Sequence, residues 1–200
     1  QDEVEEAKAA LGVDDGRPLI VSFWGSLGAA GMNRAMADFL ALEAAKEPFH
    51  HIHGAGKSGY GQVMALLKEK GVDLAAHPAL QVREYIYDMA TVMRAADLVL
   101  CRAGASTLAE LTAMGKPAIL VPSPNVTNNH QERNARVLEA AGGARVMLEQ
   151  DFTADSLLGL VSELLQHPEQ LDEMSKKMLE LGVPDATDRI AAEVLELAGK

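Results

Sequence analysis

Short apolar runs alternate with segments of helical periodicity along most of the chain. Each run is short enough for a buried strand, and most runs are followed by apolar residues at helical spacing. The predicted strands are Leu19–Phe23, Phe49–Ile52, Ala79–Val82, Leu98–Cys101, Ala118–Val121 and Ala144–Leu148, and the predicted helices are Asn33–Ala45, Tyr60–Lys70, Ser106–Met114, Gln131–Ala140 and Ser156–Leu165. The alternation predicts an α/β fold, a six-stranded parallel sheet with helices on both faces.

The two ends of the chain differ from this alternation. Val4–Leu11 is predicted as a leading helix or the end of a connector, so residues 1–16 precede a single domain over residues 17–200. From residue 168 onward the pattern predicts two helices and no strand, with a break at Gly182-Val183-Pro184. Their apolar stripes are Met174, Met178 and Leu181 in the first helix, and Ile190, Val194 and Leu197 in the second. We expect both helices to close one side of the sheet.

Composition narrows the class of protein. The chain has 200 residues, of which 48% are hydrophobic, enough for a full core. Its net charge of −11 argues against nucleic acid or an anionic membrane as the main partner. No apolar run reaches the roughly 18 to 20 residues of a membrane span, and the acidic start is unlike a signal peptide. Cys101, the only cysteine, excludes an internal disulfide and is predicted to be a small buried residue rather than a nucleophile.

Residues 97–110 form the most informative stretch, in which an apolar strand leads into a small-residue turn that opens a helix. The first N–H groups of a helix lack intrahelical partners, so Gly104, Ala105, Ser106 and Thr107 offer donors to a phosphate. Glu110 lies about one turn further on, where its carboxylate can bind two adjacent ribose hydroxyls. Together these features indicate a nucleotide site. The pattern leaves open a capped helix, with Ser106 or Thr107 as N-cap and Glu110 completing a capping box.

A second turn, with the spacing G-x-x-G-x-x-G, follows the first predicted strand. Its Gly25, Ser26 and Gly28 would allow the main chain and one hydroxyl to approach a phosphate. Both turns fall at the carboxyl edge of the sheet, where open α/β folds bind ligands. A dinucleotide fold would need G-x-G-x-x-G and an acidic residue after the second strand, but that strand ends in His53 and Gly54. The Walker pattern is also absent, and we interpret residues 54–58 as a flexible loop near the ligand.

Six motifs together resemble the C-terminal half of the MurG family, the peptidoglycan transferases of glycosyltransferase family 28. The motifs, in the family's order, are Gly25-Ser26-Leu27-Gly28-Ala29, His53 with Gly56-Lys57, Tyr85-Ile86-Tyr87-Asp88-Met89, Arg102-Ala103-Gly104-Ala105-Ser106-Thr107 with Glu110, His130-Gln131 with Asn134-Ala135, and Pro184-Asp185-Ala186-Thr187. The match runs from about Arg17 to the end, and six ordered motifs are far more specific than one. The resemblance implies a Rossmann-like domain that is the C-terminal, UDP-sugar donor-binding half of a GT-B fold, with the N-terminal acceptor half outside this chain.

The resemblance also implies roles for individual residues. The turn around Ser26 would meet the donor phosphates, the main chain of Ile86 would meet the uracil, and Glu110 would hold the ribose hydroxyls. The helix that opens at Gly104 would face the pyrophosphate, and Gln131 would contact sugar hydroxyls. The complete set of predicted binding residues is Gly25, Ser26, Gly28, Ile86, Gly104, Ala105, Ser106, Thr107, Glu110 and Gln131.

Catalysis would be shared with the missing half. A helix N-terminus stabilises the charge that grows on departing UDP without a metal, so we expect no metal and no cofactor besides the donor UDP-GlcNAc. The family inverts the anomeric carbon, and the general base would belong to the acceptor half. We therefore assign no catalytic residue in this chain.

Several positions carry alternatives. Trp24, Ala30 and Asn128 stand where the family usually has glycine, arginine and aspartate, and Trp24 either narrows the phosphate turn or points away and packs under the acceptor half. His51 and His53 share one side of a strand, but a metal would need a third ligand, and His53 is expected in a loop near the donor.

Five further polar residues are predicted to lie near the turns. Arg102 is expected either to bind phosphate or to brace its turn through a salt bridge. Asp88 is expected to be a turn or cap residue, with a role in the donor site as the alternative, and Asp97 is expected to cap or order the start of a strand. Gln131 and Asn134 share a helix face, so one of them would cap the preceding loop.

The resemblance thus implies the donor-binding domain of an inverting transferase that moves N-acetylglucosamine from UDP-GlcNAc to lipid I, forming lipid II. A donor subunit of a split UDP-sugar transferase with a membrane-anchored partner, or a non-catalytic nucleotide-binding module, are the alternatives. Without its acceptor half the domain is expected to be inactive. Expected partners are UDP-GlcNAc and, through the missing half, lipid I and the inner face of the cytoplasmic membrane, with this acidic domain in the cytoplasm.

Overall fold

Six parallel strands form the centre of the structure, a computed structural model that describes residues 2–25, 30–124 and 129–182. The strands are β1 (Leu19–Phe23), β2 (His50–Gly54), β3 (Leu80–Arg83), β4 (Leu98–Cys101), β5 (Ala118–Leu120) and β6 (Ala144–Val146). They lie in the order β3-β2-β1-β4-β5-β6. The prediction of a six-stranded parallel sheet is confirmed. The strand order reverses between β1 and β4, and the crevice at their carboxyl ends is where such sheets bind ligands.

Eight α-helices cover the two faces of the sheet in the described residues. They are α1 (Asp2–Ala10), α2 (Asn33–Lys46), α3 (Gly56–Glu69), α4 (Met89–Ala95), α5 (Ala105–Met114), α6 (His130–Ala140), α7 (Ala154–Gln166) and α8 (Pro168–Leu181). Helices α2, α3 and α7 enclose what we call the first core, and α1, α4, α5 and α6 enclose the second core. Helix α8 contributes Met174 to the first core and Met178 and Leu181 to the second. It therefore packs against both cores, whereas the tail helices were predicted to close one side of the sheet.

Two helix predictions need correction. Helix α4 was not predicted, and α3 begins at Gly56, so residues 54–58 are not a flexible loop. Gly56 has a φ of +75°, which allows the chain to turn directly from β2 into α3. The N–H groups of Ala55 and Gly56 donate to the carbonyls of Arg83 and Glu84, at 2.9 and 3.0 Å, which fixes this turn against the end of β3.

The two termini agree with the sequence pattern where they are described. Helix α1 matches the predicted leading helix, and Lys8 pairs with Asp97 at 2.8 Å. Asp97 also accepts a hydrogen bond from the Leu19 N–H at 2.7 Å, so it orders the start of β1 as predicted. The second tail helix and the motif at residues 184–187 lie outside the described residues, and the division at residue 16 stays a prediction. In the described ranges, no helix is long and apolar enough to cross a membrane.

Candidate functional site

The N-terminus of α5 opens at the switch point of the sheet. Its N-cap residue is Gly104, whose extended backbone (φ −68°, ψ 144°) brings no side chain to the helix end. The first helical bond runs from the Leu108 N–H to the Gly104 carbonyl at 3.0 Å. The N–H groups of residues 105–107 therefore lack an intrahelical partner. The capping-box alternative, with Ser106 or Thr107 as N-cap, is wrong because a glycine occupies that position, and the helix end is open to an anion.

Glu110 lies on the same face of α5 as Ser106, four residues further along, and both residues are exposed. Side chains on a helix tilt toward its N-terminus, so the Glu110 carboxylate leans toward the open end. In the described parts of the chain it takes part in no hydrogen bond or ion pair. It is thus available as an acceptor for a ligand hydroxyl.

Gln131, on α6, faces the open end of α5. Its side chain is buried, and its Oε1 accepts a hydrogen bond from the Ser123 N–H at 2.9 Å. This bond fixes the amide so that Nε2 lies 4.0 Å from where a Cβ on Gly104 would be. Gln131 therefore holds the loop after β5, which agrees with the prediction that Gln131 or Asn134 caps this loop. It also presents an N–H donor beside Gly104.

Ile86 lies in the connection from β3 to α4, at the same edge of the sheet. Its side chain packs onto Gly54, with Cδ1 only 3.0 Å from where a Cβ there would lie. Within the described ranges, its N–H and C=O make no backbone hydrogen bond. The neighbouring Tyr85 and Tyr87 are 48% and 92% exposed, with ring centroids 5.9 Å apart. An unpaired amide edge beside two exposed aromatic rings is suited to a flat heterocycle.

The turn after β1 is described only as far as Gly25, whose φ of +74° starts it. Residues 26–29, which include the predicted site residues Ser26 and Gly28, lie outside the described residues, as does Asn128. Trp24 is 3% exposed and packs edge-on against Phe152, with ring centroids 5.6 Å apart. Its indole therefore packs in the first core of this domain rather than on a surface for an acceptor half.

Arg102 braces the turn between β4 and α5. Its Nη1 donates to Glu149 Oε2 at 2.8 Å and lies 3.3 Å from each of the carbonyls of Val121 and Pro122. Its guanidinium carbon lies 5.7 Å from the centroid of the Trp24 ring. The salt-bridge interpretation of Arg102 is confirmed.

A chain of buried polar groups runs through the first core from α2 to β2 and β1. Glu43 on α2 bonds His51 Nδ1 at 2.9 Å, His51 Nε2 lies 2.7 Å from Ser22 Oγ, and Ser22 Oγ lies 2.6 Å from His53 Nδ1. All four side chains are fully buried. His53 is therefore a strand residue inside the core, and its prediction as a loop residue near the donor is wrong, because Ser22 on the paired strand offers its imidazole a buried partner.

Burial shifts the protonation of this polar chain. Desolvation, and secondarily the charge of His51, lower the pKa of His53 to about 3, so its imidazole is neutral at pH 7. Desolvation raises the pKa of Glu43. Sequence reasoning missed Ser22 and Glu43. The signal was present, since Glu43 continues the apolar stripe of Met36, Phe39 and Leu40 on α2, where a carboxylate needs a buried partner.

Three buried side-chain polar atoms lack a partner within the described residues, and all lie around Trp24. They are Trp24 Nε1, His53 Nε2 and Arg102 Nε. The His53 ring lies 6.2 Å from the Trp24 ring, and Arg102 stacks on it. Buried polar groups are usually paired, and departures from that rule concentrate at functional sites. This concentration points to the same sheet edge as the open end of α5.

Two further predictions concern side chains near this edge. Burial raises the pKa of the Cys101 thiol to about 12, so Cys101 is a small buried residue as predicted. Asp88 is the N-cap residue of α4 and pairs with Arg83 at 2.9 Å, which agrees with a cap position. No group of three or more potential metal ligands occurs among the described residues.

Comparison with known proteins places the chain in a family. The model of the glycosyltransferase family 28 C-terminal domain matches residues 19–190. The chain belongs to this family. It is 41% identical over 186 residues to the UDP-N-acetylglucosamine--N-acetylmuramyl-(pentapeptide) pyrophosphoryl-undecaprenol N-acetylglucosamine transferase of Acetivibrio thermocellus, covering 93% of this chain and 49% of the relative. The transferase of the same name from Desulforudis audaxviator is 40% identical over 196 residues, or 98% of this chain and 52% of the relative.

A solved structure gives the same result for the fold. The crystal structure of Acinetobacter baumannii MurG superposes with a TM-score of 0.71 at 28% identity, over 95% of this chain and 53% of that one. This family 28 chain therefore has the architecture of one half of a GT-B transferase, as the motifs implied. It spans about half the length of the curated relatives that it matches.

Proposed function

We propose that the chain is the donor-binding domain of an inverting glycosyltransferase that moves N-acetylglucosamine from UDP-GlcNAc to lipid I and forms lipid II. The observation that carries the proposal is the uncapped N-terminus of α5, together with the fixed amide of Gln131 and the carboxylate of Glu110, which has no partner among the described residues. The names of relatives about 40% identical to this chain support the choice of sugar and acceptor.

The proposed donor complex assigns each polar group a chemical task. The amides of Ala105, Ser106 and Thr107 bind the pyrophosphate, and the N-terminal dipole of α5 stabilises its charge as UDP leaves. Glu110 accepts hydrogen bonds from both ribose hydroxyls, and Gln131 donates to a hydroxyl of the sugar. The main chain of Ile86 meets the uracil, and Gly25, Ser26 and Gly28 meet the phosphates from the β1 side.

The proposal needs no metal and no other cofactor in this domain, because the helix end supplies the charge stabilisation. The acceptor half binds lipid I, contacts the inner face of the cytoplasmic membrane and holds the general base. This half has a net charge of −11, so it faces away from anionic lipid and lies in the cytoplasm.

Calorimetric titration of the chain tests the donor site. UDP and UDP-GlcNAc, with a chelator present, are expected to bind, whereas NADH is not. Glu110→Ala should weaken UDP binding about tenfold or more, because a charge-assisted hydrogen-bond acceptor for the ribose is lost. Glu69→Ala is the matched control, since Glu69 is an exposed carboxylate at the far end of α3. Absence of UDP binding, or equal UDP affinity in Glu110→Ala and the parent chain, would contradict the proposal.

A second measurement separates a transferase half from a nucleotide-binding module. The chain is mixed with the N-terminal half of a family 28 relative, UDP-GlcNAc and a lipid I analogue, and lipid II formation is followed. We expect transfer that depends on both halves and is reduced in Glu110→Ala. Donor binding without any transfer by the mixture would favour the binding module.

A further inference from the structure

We propose that Arg102 and Glu149 form a positioning pair for the phosphate site: neither touches the donor, and together they hold the open end of α5 in the geometry that binds pyrophosphate. This inference rests on the proposed function, since it concerns how the same helix end is fixed. Arg102 lies two residues before Gly104, so any shift of its turn moves the free N–H groups of residues 105–107.

The contacts of Arg102 join neighbouring strand ends. From the end of β4, its Nη1 reaches the carbonyls of Val121 and Pro122, just after β5, and the carboxylate of Glu149, which follows β6. Its guanidinium also stacks on Trp24, just after β1. One side chain thereby connects the carboxyl ends of four strands, two of which flank the switch point.

Glu149 extends the connection to the 3-10 turn that leads into α2. Its Oε2 binds Arg102, while its Oε1 lies 3.4 Å from where a Cβ on Gly31 would be. Gly31 belongs to a short 3-10 helix, Ala30–Met32, that leads into α2. The carboxylate therefore lies between Arg102, in the turn after β4, and Gly31, just before α2.

The charges of the pair favour a positioning role over direct attraction of phosphate. The side chain of Arg102 is only 8% exposed, and its nearest charged partner is the carboxylate of Glu149 at 2.8 Å. The pair is thus close to neutral as a unit. Hydrogen bonds weaken steeply when the donor angle changes, so the pair acts on phosphate through the orientation of the α5 amides.

The experiment compares UDP with uridine, because only UDP uses the phosphate donors. Affinities for both ligands are measured by calorimetry for the parent chain, Arg102→Lys, Glu149→Gln and the control Glu163→Gln. Lysine keeps the charge but loses the planar fork. Glu163 on α7 pairs with the exposed side chain of Arg145 on β6 at 3.1 Å, so its variant removes an ion pair away from the crevice.

Positioning and direct electrostatics predict opposite signs for Glu149→Gln. Removing a negative charge near a phosphate site should raise UDP affinity if charge alone mattered. We expect instead that the ratio of UDP to uridine affinity falls roughly tenfold in Glu149→Gln and Arg102→Lys, the effect of one misaligned charge-assisted hydrogen bond, and stays unchanged in Glu163→Gln.

The remaining outcomes are also decisive. An unchanged or increased ratio in Glu149→Gln overturns the positioning role, and so does an equal loss of uridine and UDP affinity, because the effect would not be confined to phosphate. If Arg102→Lys does not fold, Glu149→Gln carries the test alone, since glutamine has nearly the shape of glutamate. A parent chain that binds neither ligand would contradict the proposed function rather than this inference.

Discussion

The two cores on either side of the sheet are built on different chemistry. The first core encloses the hydrogen-bonded chain from Glu43 through His51 and Ser22 to His53. The second core depends on apolar contact so close that a Cβ on Gly143 would lie 2.7 Å from Met178 Sδ. Apolar contact stabilises without direction, whereas hydrogen bonds stabilise only one arrangement of the groups.

The hydrogen bonds of the first core require one exact pairing of strands β1 and β2. Ser22 and His53 are direct neighbours across β1 and β2, so a slip of one residue would move them to opposite faces and leave buried polar groups unpaired. The polar chain therefore specifies the register of β1, the strand that leads into the turn at Gly25. The second core carries helix α5 and contributes stability to its position.

The largest expected effect comes from the second core. Leu111 on α5 is fully buried there, and Leu111→Ala should lower the free energy of unfolding by about 3 kcal/mol through lost burial and the cavity left behind. Because no ionisable group is involved, the loss should be the same at pH 5 and pH 7. Urea unfolding at both pH values measures it. Leu42→Ala, at a leucine that is 38% exposed, should cost less than about 1 kcal/mol, and an equal loss for the two variants would contradict this assignment of the core.

The central hydroxyl of the polar chain should have the next largest effect. Ser22→Ala leaves His51 Nε2 and His53 Nδ1 without partners in a buried site, so we expect a loss of about 2 kcal/mol at pH 7. Thermal and urea unfolding measure this loss. Ser58→Ala, at an exposed serine near the start of α3, should change stability by less than about 0.5 kcal/mol. If Ser22→Ala does not change the free energy of unfolding, the hydrogen bonds from Glu43 to His53 do not stabilise the fold.

The pH dependence of stability should come from the first core. The pKa of His53 is lowered to about 3 in the folded protein. Below pH 6.5 the imidazole therefore binds a proton in the unfolded chain but stays neutral in the native state. Stability should then fall as the pH drops from 6.5 toward 3, with a slope of about 1.4 kcal/mol per pH unit from this group. Glu43, whose pKa burial raises, acts in the opposite direction. We therefore compare the slope of the free energy of unfolding against pH in the parent chain with the slope in His53→Gln.

The variant series for this test is measured from pH 6.5 to pH 5.5. His53→Gln should remove most of the slope, because glutamine has no proton to gain. His167→Gln, at a half-exposed histidine between α7 and α8, should show the same slope of stability against pH as the parent chain. Parallel curves for the parent chain and His53→Gln would show that the imidazole is already protonated in the native state.

The same contrast explains how much could be predicted from the sequence. Apolar runs were sufficient for all six strands, and the small-residue turn before α5 indicated the open helix end, because both are local patterns. The burial of His53 and the partner of Arg102 were not predictable, since Ser22 and Glu149 are distant from them in sequence and meet them only in the folded sheet. Helix α4 was missed because its seven residues are too few for a clear periodicity.

The smallest expected effects concern one glycine on each side of the sheet. Gly159, within α7, has no neighbour within 4 Å of an added Cβ, so Gly159→Ala should raise the free energy of unfolding by about 0.5 to 1 kcal/mol. Gly143→Ala meets Met178 Sδ, a flexible side chain that can partly yield, and should lower it by about 1 kcal/mol. Thermal unfolding of both single variants and the double variant measures these changes. The two sites lie on opposite faces of the sheet, so the change in the free energy of unfolding of the double variant should equal the sum of the two single changes. If Gly143→Ala raised the free energy of unfolding, the second core would have space for an added methyl group.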